Sequence, residues 1–310
     1  MKILDRLPVL VTAYNRPDKV QLVLEQLSRI DFVDVFIAFD GPKNSGESVA
    51  VASAREVARK YIVDESRILY SEKNLGCRYA MTKAIDWFFE QVEFGVINED
   101  DVIIDSTYFD AMRVMLPAYA DSNEVFLINS FVTPRQGLAK PFFKGEFISS
   151  WGWATWRNRW SLYDDSLMCE AVTFKSLRAR FPSVSNAIYF YLAFKLCKQG
   201  KMSSWAYRWV ATVWSHDGIS LTPTSSLSQS IGITPDATHT SKETHLLLKK
   251  DSINQDDLLN VCVVLGPDRL RDDRILSYIS GSTNFIKLLR MMVSCCVPNP
   301  LFFRIRRQLR

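Results

Sequence analysis

The first 130 residues alternate short apolar runs with stretches in which apolar side chains recur every three or four positions. Short apolar runs bounded by turn residues predict buried strands, and the longer period predicts helices with one apolar face. Strands and helices that alternate in this way form a mostly parallel sheet with helices on its faces. The sequence therefore predicts an α/β fold.

The pattern of predicted strands and helices divides the chain into three regions. Predicted strands cover residues 9–13, 33–39, 67–70 and 96–97, and predicted helices begin at residues 17, 47 and 79. After residue 130 aromatic side chains crowd 142–163 and 189–214, and we expect residues 1–130 and 131–245 to be halves of one domain. Residues 246–310 are predicted to form a C-terminal helical appendage, with a strand at 261–265 and helices at 270–279 and 283–292.

Composition narrows the class further. The chain is 47% hydrophobic and 23% charged, which is typical of a globular protein and excludes disordered, collagen-like and coiled-coil chains. The 38 basic and 34 acidic residues leave a net charge of +4, a surplus too small to predict a nucleic-acid binder. The six cysteines form no Cys-x-x-Cys pair, and neither a leader peptide nor an apolar stretch of membrane-spanning length is visible. We therefore expect a cytoplasmic protein with reduced thiols.

Three consecutive carboxylates follow the predicted strand at 96–97, in the segment Asn98-Glu99-Asp100-Asp101. The carboxyl ends of parallel strands are where open α/β sheets bind ligands. Adjacent carboxylates repel one another unless a cation neutralises them, and Mg²⁺ and Mn²⁺ prefer such oxygen ligands together with substrate phosphates. The segment therefore predicts a site for a divalent metal, Mn²⁺ or Mg²⁺. The alternative is a solvated acidic turn that caps the next helix.

Polar and aromatic side chains also follow the first two predicted strands. Tyr14 could stack on a nucleotide base, and Asp40 could accept a hydrogen bond from a base or a ribose. Arg16 and Arg78 could hold phosphates through their planar guanidinium groups. Each residue also has an ordinary interpretation: a packed turn aromatic, a turn-forming acid before Gly41, or a surface charge.

Taken together, residues 8–130 resemble the nucleotide-sugar-binding half of glycosyltransferases of the GT-A fold. The segment that contains Thr12, Ala13, Tyr14 and Arg16 looks like the first-strand donor motif, and Asp40-Gly41 looks like the second. Asn74-Leu75-Gly76-Cys77-Arg78 is similar to the Asn-Leu-Gly turn before the helix that leads to the metal motif. Glu99-Asp100-Asp101 is similar to the Glu-Asp-Asp form of the Asp-x-Asp motif in the inverting N-acetylglucosaminyltransferase I type.

The resemblance extends to about residue 242, because residues 150–156 and 236–240 look like segments of bacterial family-2-like transferases of surface-polysaccharide pathways. It implies a Rossmann-like GT-A fold, with the donor bound by residues 1–130 and the acceptor by residues 131–245. It also implies that Asp101 ligates the metal and that Glu99 and Asp100 bind the donor sugar or ribose. His239 would be a second metal or diphosphate contact, and a hydrogen-bonded loop histidine is the alternative.

Three tryptophans lie within residues 151–156. An indole face stacks on the apolar face of a sugar ring, so Trp151 and Trp153 are predicted to line the donor pocket. Gly152 would let the backbone approach the donor closely. The alternative is a buried stripe, since Trp153, Trp156 and Trp160 also recur at helical spacing.

An inverting sugar transfer needs a carboxylate that takes the proton of the acceptor hydroxyl. In the proteins that this chain resembles we would look for that acid between two tryptophans, but Trp205-Ala206-Tyr207-Arg208-Trp209 contains none. Asp164, Asp165 and Glu99 are therefore the candidate catalytic residues. The alternative for the first two is an ordinary helix-ending or loop acid.

The last ten residues, 301–310, combine apolar side chains with four arginines. Such segments lie on anionic membranes, and a solvated terminus is the alternative. The leading hypothesis is a metal-dependent, inverting glycosyltransferase that moves a sugar from a UDP-type donor to a saccharide or lipid-linked acceptor of a surface polysaccharide, at the inner face of the cell membrane. The alternatives are a sugar-phosphate nucleotidyltransferase, which would want a Gly-rich phosphate loop that residues 12–17 lack, and a non-catalytic binder of nucleotide sugars or glycans.

Overall fold

The fold is a mostly parallel sheet covered by helices on both faces, as a computed structural model that describes residues 2–132, 141–232 and 285–308 shows. The strands are β1 (Leu7–Ala13), β2 (Val33–Phe39), β3 (Ile68–Tyr70), β4 (Phe94–Glu99), β5 (Val102–Ile104), β6 (Val125–Asn129), β7 (Phe142–Gly145), β8 (Trp153–Trp156), β9 (Ile219–Pro223) and β10 (Ser228–Ser230). Eight of them form one sheet in the order β3-β2-β1-β4-β8-β6-β9-β7, in which β7 and β8 run antiparallel to their neighbours. The predicted α/β class is therefore confirmed.

The described helices follow the apolar periodicity of the sequence. They are α1 (Pro17–Leu27), α2 (Ser48–Arg59), α3 (Gly76–Gln91), α4 (Ser106–Ala118), α5 (Arg157–Trp160), α6 (Phe174–Arg180), α7 (Val184–Lys198), α8 (Trp205–Ser215), α9 (Phe285–Cys296) and α10 (Asn299–Gln308). Helix α1 begins at a proline, which fits the first turn because that turn leaves its N–H groups unpaired. Its buried residues are the predicted apolar positions Val20, Val23, Leu24 and Leu27.

Alternate residues of the central strand enter two separate cores, because successive side chains of a strand point to opposite faces of the sheet. Val9 and Val11 pack with the buried sides of α1, α2 and α4. Leu10 lies on the other face with α3, α7 and α8. Since both faces of the sheet are covered, its edges are the parts that remain available for ligands.

Two elements differ from the sequence prediction. Helix α3 begins at Gly76 and not at residue 79, because Asp40 accepts hydrogen bonds from the N–H groups at its start. The tryptophan-rich segment contains β8, a buried strand between β4 and β6, and not a helix. Its local spacing is compatible with both structures, so pairing with the neighbouring strands decides between them.

The appendage is described in part. Helix α9 confirms a helix at the predicted place, and it continues past residue 292 to Cys296. The predicted strand at 261–265 and the helix at 270–279 lie outside the described residues. None of the helices in the described ranges has both the length and the apolar character that a membrane crossing requires.

Candidate functional site

Three neighbouring strands, β2, β1 and β4, end side by side at one edge of the sheet. Their backbone hydrogen bonds continue one residue past the strands. Asp40 N–H donates to Ala13 O at 3.1 Å, and Asp100 N–H donates to Thr12 O at 2.9 Å. The predicted residues from these three strand ends are therefore brought together.

The acidic turn, Glu99-Asp100-Asp101, joins β4 to β5. Asn98 stabilises this turn, because its side-chain amide donates to Val102 O at 2.9 Å on the other side. The Asp100 side chain is buried, with 3% of its surface exposed, whereas Asp101 is 19% exposed. The turn therefore holds Asp100 against the protein and leaves Asp101 accessible.

Arg16 reaches the acidic turn from the loop that follows β1. Its Nη1 lies 2.8 Å from Asp101 Oδ2, and its Nη2 bonds to Asp100 Oδ1. The backbone N–H of Tyr14 donates to the other Asp100 oxygen at 3.3 Å. A single guanidinium thus compensates part of the charge of three adjacent acids.

The negative charges of the acidic turn are only partly neutralised by the protein, and two of its carboxyl groups have raised pKa values. Burial, followed by the charges of Asp101 and Asp100, raises the pKa of Glu99 to about 8. Burial also raises the pKa of Asp100 to about 6, and the Arg16 guanidinium opposes this shift. Among the described residues, none donates a hydrogen bond to the Glu99 carboxylate. Groups with such shifts in a cleft are candidates for ligand binding or chemistry.

The donor chemistry of the turn fits a divalent metal that a substrate helps to hold. Within the described ranges no group of three or more His, Cys, Asp or Glu side chains is placed to enclose a metal ion. Mg²⁺ usually keeps several waters and takes one or two protein carboxylates plus substrate phosphates. Asp101 and Asp100 match that smaller ligand set, with Arg16 as their counter-ion in this structure. His239, the other predicted ligand, lies outside the described residues.

Asp40 has a different environment, because backbone and amide groups surround its carboxylate. One oxygen accepts from Gly41 N–H and Leu75 N–H, both at 2.8 Å. The other accepts from the Asn74 amide at 2.9 Å and from Gly76 N–H at 3.1 Å. A carboxylate has roughly four acceptor positions, so these donors occupy them all. Asp40 therefore fixes the start of α3. These contacts favour its interpretation as a turn-forming acid over a contact with a base or a ribose.

Tyr14 is tied to the loop that precedes α2. Its hydroxyl bonds to Glu47 and accepts a hydrogen bond from Lys43 N–H at 3.2 Å. Burial and the hydrogen bond to Glu47 raise the pKa of Tyr14 to about 12, so the phenol stays neutral. The ring is half-buried, and base stacking on it stays a prediction. The sequence analysis did not identify Glu47, whose signal is an acid at the N-terminus of a helix.

Arg78 contacts another candidate residue. Its Nε donates to Asp165 Oδ1 at 2.9 Å, and Arg208 Nε lies 3.1 Å from the same oxygen. The Tyr163 hydroxyl also donates to Asp165, at 3.3 Å. Asp165 therefore connects the first turn of α3 to α8 through two guanidinium groups. In this structure Arg78 and Asp165 satisfy each other.

Asp164, the neighbouring candidate base, closes a turn. Its carboxylate accepts from Ser166 N–H at 2.8 Å and from Met168 N–H at 3.3 Å. Burial opposes ionisation, but these hydrogen bonds hold the pKa of Asp164 below its usual value. The contacts favour the loop-acid alternative for Asp164. Glu99 is the candidate whose carboxylate carries no such donors among the described residues.

Trp153 lies in the core and not at the sheet edge. Its exposed fraction is 0%, and its ring stacks on Trp205 with centroids 5.9 Å apart. Trp156 is also buried, and its indole N–H donates to Leu116 O at 2.9 Å. A fully buried ring has no face free for a sugar, so the packing alternative applies to Trp153. Trp151 is half-buried and remains a candidate for ligand contact.

Gly152 is required by its close packing. It has a φ of 69°, and a Cβ there would lie 2.7 Å from both Ile104 Cδ1 and Ser130 Oγ. Residues other than glycine rarely adopt this backbone conformation. Gly152 therefore lets the chain turn closely beside β5, and its contact with a donor stays a prediction.

Gly232, a residue that the sequence pattern did not single out, lies against Asp101 of the acidic turn. Strand β10 pairs with β5, and the next residue, Ile231, donates its N–H to Asp101 O at 2.7 Å. A Cβ on Gly232 would lie 2.0 Å from Asp101 Oδ2, so a larger residue would displace one of the two segments. The signal in the sequence is a glycine between two isoleucines. These contacts bring Ile231 and Gly232 to the acidic turn.

No family model matches the chain, and a search of the curated proteins finds no match to it.

Proposed function

We propose that the protein is a glycosyltransferase of the GT-A fold that uses a nucleoside-diphosphate sugar, of the UDP type, and a divalent metal, Mn²⁺ or Mg²⁺. The observation that carries the proposal is the pairing of Arg16 with Asp100 and Asp101 at the ends of β1 and β4. A cation and two carboxylates at this edge match a diphosphate with its metal, since the guanidinium attracts phosphate oxygens and the carboxylates attract the metal. The mostly parallel sheet agrees with the resemblance of residues 8–242 to this class.

In the proposed reaction the bond between the sugar C1 and the diphosphate oxygen breaks, and a bond from C1 to an acceptor hydroxyl oxygen forms. The hydroxyl proton passes to a carboxylate, and the nucleoside diphosphate leaves with the bonding electrons. A bound divalent metal would neutralise charge on the departing diphosphate. Inversion at C1 follows from this single displacement.

Glu99 is the best available proton acceptor among the three candidate carboxylates. Asp165 is held by Arg78 and Arg208, and Asp164 closes a turn. Glu99, the first residue of the acidic turn, has no such partners among the described residues, and its raised pKa suits proton transfer near neutral pH. Its neighbours Asp100 and Asp101 would remain the donor-sugar contact and the metal ligand.

A non-catalytic binder of nucleotide sugars is the second candidate function. It is favoured by the engagement of Asp164 and Asp165 and by the alanine at position 206, where an acid is expected from the resemblance. The two functions differ in turnover. With a UDP-sugar and Mn²⁺, an enzyme would hydrolyse the donor slowly, with water in place of the acceptor, and would release UDP. Glu99→Gln would lower that rate. A binder would release no UDP as either wild type or variant.

The first test is binding of UDP by the purified chain with and without Mn²⁺, measured by calorimetry. We expect Mn²⁺ to strengthen UDP binding and Asp101→Asn to remove this effect, with a loss of at least about 100-fold, because substituting even an indirect metal partner costs about 10–100-fold. Asp110→Asn is the matched control, since Asp110 lies on α4 and the charges that act on it are those of Arg113 and Asp105, not those of the acidic turn. Equal UDP affinity in Mn²⁺ and in EDTA would remove the metal from the proposal, and no binding of any nucleoside diphosphate would end it.

A further inference from the structure

Helix α9 has two apolar faces, and only one of them is covered by the described protein. The inner face, Leu288, Met291 and Cys295, is buried against α7. The outer face consists of Ile286, Leu289, Met292 and Val293, which are 61%, 45%, 38% and 56% exposed. These four positions recur at helical spacing and form one stripe. We call them the α9 outer face.

Side chains near the end of α7 hold the C-terminal end of α9. Lys201 donates to Ser294 O at 2.8 Å and to Val297 O at 2.6 Å, which pairs two carbonyls at the end of α9 with a cation. The Gln199 amide donates to Cys295 O at 3.1 Å, and Asn299 donates back to Gln199 O at 2.9 Å. These contacts and the buried inner face orient α9 so that its outer face points away from the described protein.

Helix α10 also carries exposed apolar side chains. Leu301 and Phe303 are 49% and 39% exposed, whereas Phe302 turns back toward Lys201. Residues 285–308 contain five basic side chains and no acidic one. The basic residues are Arg290, Arg304, Arg306, Arg307 and Lys287, of which Lys287 packs over the Tyr189 ring of α7.

We propose that the α9 outer face and α10 form a docking surface for an anionic lipid membrane. An apolar stripe flanked by Lys and Arg is the pattern of helices that lie in the membrane interface. Each basic residue near an anionic surface adds a favourable contribution, and a second copy of this chain would instead bring like charges together. Charge complementarity thus favours lipid over self-association.

A chain of contacts connects this surface to the candidate site. Arg78 lies in the first turn of α3 at the sheet edge and binds Asp165, which also binds Arg208. Arg208 donates to Cys197 O at 3.1 Å, at the end of α7. The same end of α7 leads to the residues that hold α9. These contacts join the docking surface to the sheet edge within one packed unit, which suits a lipid-linked acceptor; this last point rests on the proposed function, whereas lipid docking does not.

The test is flotation of the full chain with vesicles of phosphatidylcholine alone and of phosphatidylcholine mixed with phosphatidylglycerol. We expect binding to the mixed vesicles and weakening of that binding by salt. The double variant Leu289→Glu, Val293→Glu should reduce binding about 10- to 100-fold, because it removes two apolar side chains from the lipid contact. Leu289→Gln with Val293→Thr repeats the test without added charge, and melting temperatures verify folding. Val63→Glu, at another exposed valine, is the matched control and should bind as the wild type does.

Three results would overturn the proposal: equal binding of the variants and wild type, equal binding to both vesicle types, or no flotation. A dimer in lipid-free solution that the variants dissociate would identify the face as a self-interface instead. UDP binding is measured on the same preparations. Wild-type protein that binds UDP but does not float contradicts the lipid proposal alone, and wild-type protein that floats but does not bind UDP contradicts the glycosyltransferase proposal alone.

Discussion

Asp40 and the acidic turn lie at the ends of β2 and β4, the strands on either side of β1. They differ in how many hydrogen-bond donors surround their carboxylates. Asp40 receives hydrogen bonds from four donors, of which three are backbone N–H groups. In the turn, Asp100 and Asp101 share Arg16, and burial raises the pKa of Glu99 and Asp100. A carboxylate surrounded by backbone donors stabilises the fold, whereas carboxylates left short of donors are available for a ligand. The same residue type at the same sheet edge thus serves two purposes.

The largest expected effect is on stability at Asp40. Asp40→Ala leaves the N–H groups of Leu75 and Gly76 without their acceptor and removes one of the two acceptors of the Asn74 amide, which should cost about 2–4 kcal/mol of unfolding free energy. Asp101→Ala in metal-free buffer should cost less than about 1 kcal/mol, because Arg16 keeps Asp100 as a partner. Urea unfolding at neutral pH measures both. Equal losses for the two variants would contradict the division of roles.

An intermediate effect is expected for Arg16 on metal affinity. Arg16→Gln removes the cation that pairs with Asp100 and Asp101, so Mn²⁺ should bind the nucleotide-free protein about 5- to 10-fold more tightly. UDP binding should weaken, because a phosphate partner is lost. Calorimetric titration with Mn²⁺ alone provides the readout. Arg29→Gln, which breaks an exposed pair with Glu25 on α1, should leave Mn²⁺ affinity unchanged, and a weaker Mn²⁺ affinity in Arg16→Gln would contradict the counter-ion role.

The smallest effect is expected at the other end of β2, where Asp34 pairs with Arg6 at 2.7 Å and Arg67 at 2.9 Å. The hydrogen bond from Arg6 is the main cause that lowers the pKa of Asp34, with burial opposing it. Because the folded pKa is below the unfolded one, this stabilisation is present above the unfolded pKa and is lost as pH falls through the folded pKa. Asp34→Asn should therefore cost about 0.5–1 kcal/mol at neutral pH and close to nothing at about pH 2. Urea unfolding across this range checks it, with Glu25→Gln as the exposed control; a pH-independent cost would exclude the ion pairs as its source.

The sequence predicted the strand ends well, because apolar runs such as Val33–Phe39 end abruptly in polar residues. It placed Asp40, Arg16 and the acidic turn at one sheet edge for that reason. It did not predict that Asp40 is saturated, since its donors come from a turn after the next strand and helix. It also did not decide whether Trp153 lines a pocket or packs in the core, because a tryptophan suits both places. Only the pairing of β8 with β4 and β6 buries it.

The tryptophan cluster around Trp153 of β8 should give the protein an intrinsic spectroscopic signal. Trp153, Trp160, Trp205 and Trp209 lie with ring centroids between 5.2 and 6.5 Å apart. Indoles at such separations couple electronically, and the near-ultraviolet circular dichroism of this cluster should be strong and lost on unfolding. Because the rings lie in the core and not at the acidic turn, that signal reports the packing of the second half of the chain and is insensitive to occupation of the sheet edge.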